Sequence, residues 1–186
     1  WANLNKQRCQ IIGAGSNLLI NNIFIKGLII CTKKLKSLKI EPYSGIVEAE
    51  AGVMLPTLSN ALAKNGLQGG EWAVGIPGTL GGAIYMNAGT GNISLAKNLI
   101  SVKVINNKTN EELQIEKKDI TFEYRFSSFQ SNDLTIISAK LHFEPNGNLE
   151  QLIQTTKNNL KLKTETQPYH LPSFGSVFKN PENNYA

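Results

Sequence analysis

Apolar and polar positions alternate over short stretches for most of the chain, and helical periodicity is confined to two places. Val47, Ala49 and Ala51 alternate with Glu48 and Glu50, which predicts a strand with one face in water. Val102 and Val104 flank Lys103, run into the polar turn 106–110 and return through Leu113 and Ile115, the pattern of a hairpin. Ile137, Ala139, Leu141 and Phe143 alternate again. Apolar runs at 10–12, 18–20 and 27–30 predict further strands, the last two buried. Pro56 suits the first turn of a helix running to about Asn65, with Leu58, Ala61 and Leu62 as its apolar stripe and Gly66 as its stop. Asn148 is placed to cap a second helix carrying Leu149, Leu152, Ile153 and Leu160 on one side. Pro145-Asn146-Gly147 between them reads as a linker, so a boundary near Pro145 divides 1–144 from 145–186.

One segment departs from this rhythm. Gly75-Ile76-Pro77-Gly78-Thr79-Leu80-Gly81-Gly82-Ala83-Ile84-Tyr85-Met86-Asn87-Ala88-Gly89 holds five glycines and a proline in fifteen residues. Glycine loses the most backbone freedom on folding, so such a cluster is costly unless φ must be positive or another group must lie on the main chain. Pro77 stiffens the ribbon. Bare amides in a stiff loop suit a flat or anionic ligand such as a cofactor pyrophosphate. A tight-turn pair packed on a strand is the simpler alternative.

Composition narrows the possibilities. The 186 residues are 41% hydrophobic and 18% charged, enough for a sizeable core. No apolar run reaches the length of a membrane span. Cys9 and Cys31 lack metal-ligand spacing and are expected to be packed, reduced thiols. His142 and His170 are far apart, so no metal site is expected. The net charge of +5 comes from Lys, with Arg8 and Arg125 as the two arginines. Lys33, Lys34, Lys36 and Lys39 read as a solvated face, since nucleic-acid binding would want arginine and aromatics among them. The first residues lack a signal-peptide pattern, and both ends read as cuts in a longer chain.

Three more segments carry candidate chemistry. Gly13-Ala14-Gly15-Ser16-Asn17-Leu18 half-matches a dinucleotide fingerprint, but Leu18 stands at the third glycine position and apolar strand follows, so that fold is rejected. The turn still offers several donors to a phosphate or ring edge, or is a plain strand-to-strand turn. In Tyr124-Arg125-Phe126-Ser127-Ser128-Phe129 an arginine between aromatics offers a planar fork for carboxylate or phosphate, or stacks on a ring at the surface. Phe174-Gly175-Ser176-Val177-Phe178-Lys179-Asn180-Pro181 sets a serine beside further donors, without the elbow of a hydrolase nucleophile.

Taken in order, Gly13-Ala14-Gly15-Ser16-Asn17-Leu18-Leu19, Gly75-Ile76-Pro77-Gly78-Thr79-Leu80-Gly81-Gly82-Ala83, Met86-Asn87-Ala88-Gly89, Tyr124-Arg125-Phe126-Ser127 and Gly175-Ser176-Val177-Phe178-Lys179-Asn180-Pro181 resemble the UDP-N-acetylenolpyruvoylglucosamine reductase family, flavoenzymes of peptidoglycan precursor synthesis. The resemblance implies an α+β FAD-binding domain of the vanillyl-alcohol-oxidase type, followed by the start of an α+β substrate-binding domain. It implies that FAD is held by Gly13, Gly15, Ser16, Asn17, Gly75, Ile76, Pro77, Gly78, Thr79, Gly81, Gly82, Ala83 and Asn87. NADPH would reduce the flavin, which would pass hydride to the enolpyruvyl double bond of a UDP-sugar. Ser176 matches the proton donor and Arg125 the residue that holds the substrate carboxylate. Tyr124, Lys179 and Asn180 match positions near the carboxylate or diphosphate. A bacterial cytoplasmic enzyme without nucleic-acid, membrane or protein partner is implied.

The chemistry agrees with those assignments. Hydride addition leaves negative charge beside a carboxylate, where an arginine fork stabilises charge that appears only in the transition state. A serine facing a carbanion needs position, not a large pKa shift. Gly70 and Thr90-Gly91-Asn92 depart from the family pattern and put local flavin contacts in question. The family's early segment and its late catalytic glutamate are expected outside these residues, so this piece alone is expected to bind FAD weakly and to be inactive. Another flavin oxidoreductase of the superfamily, or a Lys-rich binding module without catalysis, remains an alternative.

Overall fold

A computed structural model describes residues 1–21, 24–167, 171, 175 and 177–181. In chain order the strands are β1 (Cys9–Ile12), β2 (Leu28–Cys31), β3 (Leu38–Glu41), β4 (Ile46–Glu50), β5 (Gly89–Thr90), β6 (Ile93–Ser94), β7 (Leu99–Asn106), β8 (Glu112–Glu116), β9 (Phe122–Glu123), β10 (Phe126–Ser127) and β11 (Leu134–His142). The helices are α1 (Leu55–Lys64), α2 (Leu80–Tyr85) and α3 (Leu149–Thr166). Five strands form one antiparallel sheet in the order β3-β4-β11-β7-β8, and β1 and β2 pair in parallel apart from it.

The alternation in β4 and β7 has its ordinary meaning. Val47 and Ala49, and Val102 and Val104, face the core while Glu48 and Lys103 face water. Strand β11 differs from expectation. One extra residue sits between the pairs Ile136–Val104 and Ser138–Lys103, so the strand changes face at that point. Ile136 therefore takes the core position expected for Ile137, while Ala139, Leu141 and Phe143 remain buried. On its other edge β11 keeps its register with β4 past the last paired residues, and the Ile137 carbonyl accepts from the Ala51 amide at 2.9 Å.

Helix α1 begins and ends where its sequence says. Pro56 lies in its first turn, where no intrahelical N–H is needed. At the other end Gly66 has φ +70°, its amide bonds to the Ala63 carbonyl, and the Leu67 amide reaches back to Leu62. Leu55, Leu58, Leu62 and Ala63 are buried, whereas Ala61 is only half-buried. Helix α3 is capped by Asn148, whose Oδ1 accepts from the Gln151 amide at 2.9 Å. It lies on α1 and on the 3-10 turn Glu71–Gly75 through a narrow stripe, Leu152 and Thr156 at i, i+4 spacing. Leu149 and Leu160, expected on the same apolar side, are exposed because only that stripe meets its neighbours.

Three other expectations change near the start of the chain. Leu18-Leu19-Ile20 forms no strand and is exposed. Strand β2 exists, but all four of its residues are exposed, because the β1–β2 pair has no third layer over it among the described residues. Cys9 and Cys31 are free and exposed rather than packed. They sit at opposite ends of the ladder, about 10 Å apart along the strands, too far for a disulfide. Among the described residues no helix is long and apolar enough to cross a membrane.

Ser59 lies inside α1, fully buried, with no partner for its Oγ among the described residues. A buried hydroxyl without a partner costs about 1–3 kcal/mol, and alanine is the better helix former. Ser59→Ala is expected to stabilise the protein by about 1 kcal/mol and to raise the thermal midpoint by ~2–4 °C. A lowered midpoint in a thermal melt would show that the hydroxyl is satisfied after all.

Candidate functional site

Two glycine loops lie back to back. The chain leaves β1 through Gly13 and turns at Gly15, which has φ +76° and accepts from the Leu18 amide at 3.2 Å. The second loop runs from the 3-10 turn Glu71–Gly75 through Ile76, Pro77 and Gly78 into α2. The Ser16 hydroxyl donates to the Pro77 carbonyl at 3.0 Å. A side chain on Gly13 would run into Thr79 Oγ1, and one on Gly78 would lie 3.0 Å from Ser16 Oγ. Gly78, with φ +137°, is closed to other residues on conformational grounds as well.

The expectation that this ribbon presents bare amides holds for part of it. From Leu80 onward the amides are used inside the protein. Leu80 N–H reaches the Val53 carbonyl, Gly81 N–H reaches Ala51, and Gly82 N–H reaches Thr79 Oγ1 at 3.4 Å. The amides of Gly15, Ser16, Asn17, Gly78 and Thr79 have no hydrogen-bond partner among the described residues. They lie on two loops joined by the Ser16–Pro77 bond. Donors clustered on adjoining glycine turns fit the diphosphate of a dinucleotide.

The remaining predicted cofactor residues divide by face. Gly81 and Ala83 are buried, while Gly82 is exposed on α2. A Cβ on Gly81 would lie 2.9 Å from that of Ala51, so this glycine lets the helix rest on the sheet. Gly75 is buried with the Lys163 stem of α3 over its Cα, and Ile76 packs at the margin of the core. Asn87 is 9% exposed with φ +43°. Its Nδ2 donates to the Glu123 carbonyl at 2.8 Å, and its Oδ1 has no partner among the described residues.

Six residues at about 1.5 Å each make α2 a spacer of about 9 Å, and a second group of chemical residues gathers at its far end. The Tyr124–Arg125 turn links β9 to β10, with Arg125 at φ +58°. The Ser127 hydroxyl donates to the Tyr85 carbonyl at 2.8 Å. Arg125 Nη1 donates to the Gly89 carbonyl at 3.3 Å, and its guanidinium lies 5.0 Å from the Tyr124 ring centroid. The stacked arginine foreseen as the alternative is thus realised, yet one bond to Gly89 leaves most of the five N–H donors of the fork available. Gln130, which sequence reasoning passed over, donates from Nε2 to the Tyr85 carbonyl at 2.9 Å and to the Arg125 carbonyl at 3.2 Å. Its one sequence signal is its position directly after the Tyr124 to Phe129 motif.

Lys179 and Asn180 lie in an exposed stretch with Val177 and Phe178. Ser176 lies outside the described residues, as does His170. The four lysines at 33, 34, 36 and 39 are exposed, as a solvated face requires.

Free amides on two adjoining turns, glycine faces that exclude side chains, and an α+β scaffold behind them define a protein that binds an anionic, nucleotide-like cofactor. Residues 1–113 match the family described as FAD binding domain, and the chain belongs to that family. FAD is its cofactor, and the α+β fold of the vanillyl-alcohol-oxidase type that the resemblance implies is the one found.

The chain is 74% identical over its full length to the UDP-N-acetylenolpyruvoylglucosamine reductase of Prochlorococcus marinus subsp. pastoris (strain CCMP1986 / NIES-2087 / MED4), covering 63% of that protein. It is 46% identical over 182 residues to the reductase of the same name from Prochlorococcus marinus (strain MIT 9313), covering 98% of this chain and 59% of that one. A crystal structure of UDP-N-acetylenolpyruvylglucosamine reductase from Thermus caldophilus superposes with a TM-score of 0.82 at 26% identity, over 97% of this chain and 64% of the other. The chain therefore spans about six-tenths of the length of the curated relatives it matches.

The apposition of the two loops can be tested directly. Thr79 is 1% exposed and its Oγ1 caps α2, so it cannot swing aside cheaply for a Cβ at position 13. Gly13→Ala in the full-length polypeptide is expected to weaken FAD binding by about tenfold or more, roughly 1.4 kcal/mol per decade, with the far-ultraviolet circular dichroism unchanged. Unaltered affinity in a flavin fluorescence titration would remove this apposition from cofactor binding.

Proposed function

We propose that the chain is the FAD-binding part, with the opening of the substrate domain from near Pro145, of a bacterial cytoplasmic reductase. The enzyme reduces UDP-N-acetylglucosamine enolpyruvate to UDP-N-acetylmuramate at the expense of NADPH, a step of peptidoglycan precursor synthesis. The observation that carries this reading is the 74% identity along the entire chain with a protein bearing that reductase name.

FAD supplies hydride chemistry when bound. The diphosphate is held by the free amides of Gly15, Ser16, Asn17, Gly78 and Thr79, where no side chain intrudes. Arg125 lies at the other end of α2, its backbone fixed and its fork largely unspent. That fork pairs with the substrate carboxylate and stabilises the negative charge that hydride addition places next to it. The Tyr124 ring holds the guanidinium plane from one side and limits the directions in which it can present its donors. Ser176 gives the proton to the adjacent carbon. A hydroxyl stays protonated at neutral pH, where an Asp or Glu would already have lost its proton. Lys179 and Asn180 bind the substrate diphosphate.

In the full-length enzyme Ser176→Ala is expected to leave NADPH-driven flavin bleaching intact and to slow reoxidation by the sugar nucleotide by roughly a hundredfold or more, as stopped-flow absorbance would record. Equal loss in both half-reactions would contradict the proton-donor role. Arg125→Lys keeps the charge and loses the fork, and turnover is expected to fall by about tenfold or more. Unchanged steady-state rates would take Arg125 out of the mechanism. A full-length protein that carries FAD but consumes no NADPH with this substrate would point to another reaction of the superfamily.

A further inference from the structure

Residues 85–89, the end of α2 and the stretch after it, are tied to the β9–β10 region by side chains. Asn87 Nδ2 holds the Glu123 carbonyl, Ser127 Oγ and Gln130 Nε2 both hold the Tyr85 carbonyl, and Arg125 Nη1 holds the Gly89 carbonyl. Gln130 differs from the others in kind. It sits in the 3-10 turn Ser128–Ser131, and its two amide hydrogens bridge the last carbonyl of α2 and the carbonyl of Arg125 itself. Met86 Sδ lies 3.7 Å from the same nitrogen. Ser127 reaches Tyr85 but not the Arg125 main chain, and the Tyr124 ring, half exposed, rides on the same turn as the arginine. Among the described residues Gln130 is the side chain that ties the Arg125 main-chain carbonyl to the end of α2.

That link matters because Arg125 is strained. A non-glycine residue at φ +58° is disfavoured relative to an ordinary turn conformation, so the turn persists only where surrounding contacts hold it. Its own guanidinium bond to Gly89 is long, at 3.3 Å, and holds the side chain rather than the main chain of the turn. The contact that can hold the backbone while the fork works is the one from Gln130 to the carbonyl.

We infer that Gln130 is the positioning residue for Arg125. By bridging Tyr85 O and Arg125 O, it fixes the strained turn at a set distance from the end of α2 and leaves the guanidinium free to act. The role in turnover rests on the reductase reading above; the role in geometry does not.

The test uses the full-length protein with Gln130→Met, which keeps length and volume without a donor, and Gln130→Glu, which keeps shape but turns a carboxylate toward two carbonyls. Crystal structures of Gln130→Met and wild type are expected to differ at the Tyr124–Arg125 turn, with Arg125 leaving the left-handed region and losing Gly89 O. In kinetics, Gln130→Met is expected to lower kcat for the enolpyruvyl sugar nucleotide by about tenfold, with flavin reduction by NADPH and FAD content unchanged. In an Arg125→Ala background the same substitution is expected to cost less than about twofold, because its effect passes through the arginine. An unmoved Arg125, or an equal loss in both backgrounds, overturns the inference. If Gln130→Met does not fold, the same comparison is read from Gln130→Glu. Wild type without turnover on this substrate overturns the reductase reading instead, and the crystal structures still decide the role of Gln130.

Discussion

Ala51 is the point at which the sheet becomes a site. Its amide is held by the Ile137 carbonyl of β11, and its carbonyl receives the Gly81 amide at 2.8 Å. The helix can come that close because Gly81 has no side chain and Ala51 has only a methyl group. Further along the chain the Leu55 and Leu80 amides bond to the Gly78 and Val53 carbonyls, which binds the glycine–proline loop to the connection between β4 and α1 as a strand would be bound. The orientation of α2 is therefore set by main-chain hydrogen bonds in a dry environment. Each contributes modestly when made, but leaving one unmade there is expensive. Because α2 is rigid and short, fixing its start also fixes its end.

The two ends are stabilised differently. At the start, the helix amides are consumed by the protein, and the donors left over belong to the loops in front of it. At the end, the unsatisfied helical carbonyl of Tyr85 is taken by Ser127 and Gln130, side chains from the opposite turn. Two residues near that junction, Asn87 and Arg125, adopt positive φ without being glycine. Their strain is of the same order as the few side-chain hydrogen bonds that hold them, so the junction is neither floppy nor strongly overdetermined. That balance holds the turn in place while leaving the Arg125 fork largely unspent.

Much of this was legible along the chain. The alternation in β4 and β7, the Pro56 start and Gly66 stop of α1, the Asn148 cap and both glycine loops are local signals, carried by neighbouring residues through capping, turn geometry and side-chain period. The glycine clusters told in advance where a backbone would be approached closely. They did not tell by what: Gly81 makes room for Ala51 and Gly75 for Lys163, while Gly13 makes room for Thr79 of the other loop.

The tertiary structure alone decided which apolar runs are covered, because burial depends on a neighbouring layer that periodicity does not encode. Leu18-Leu19-Ile20 and β2 are as apolar as any core strand, yet among the described residues nothing lies over them. The β11 bulge was invisible for a related reason, since one inserted residue changes a face only relative to its partner strand. Gln130 belongs to the same class. Glutamine carries no motif of its own, and its role exists only where two carbonyls 40 positions apart in the chain, Tyr85 and Arg125, come within reach of one amide group. Sequence by itself marked the glycine turns and the arginine–aromatic motif as places for a ligand; folding decided which of their donors remain free.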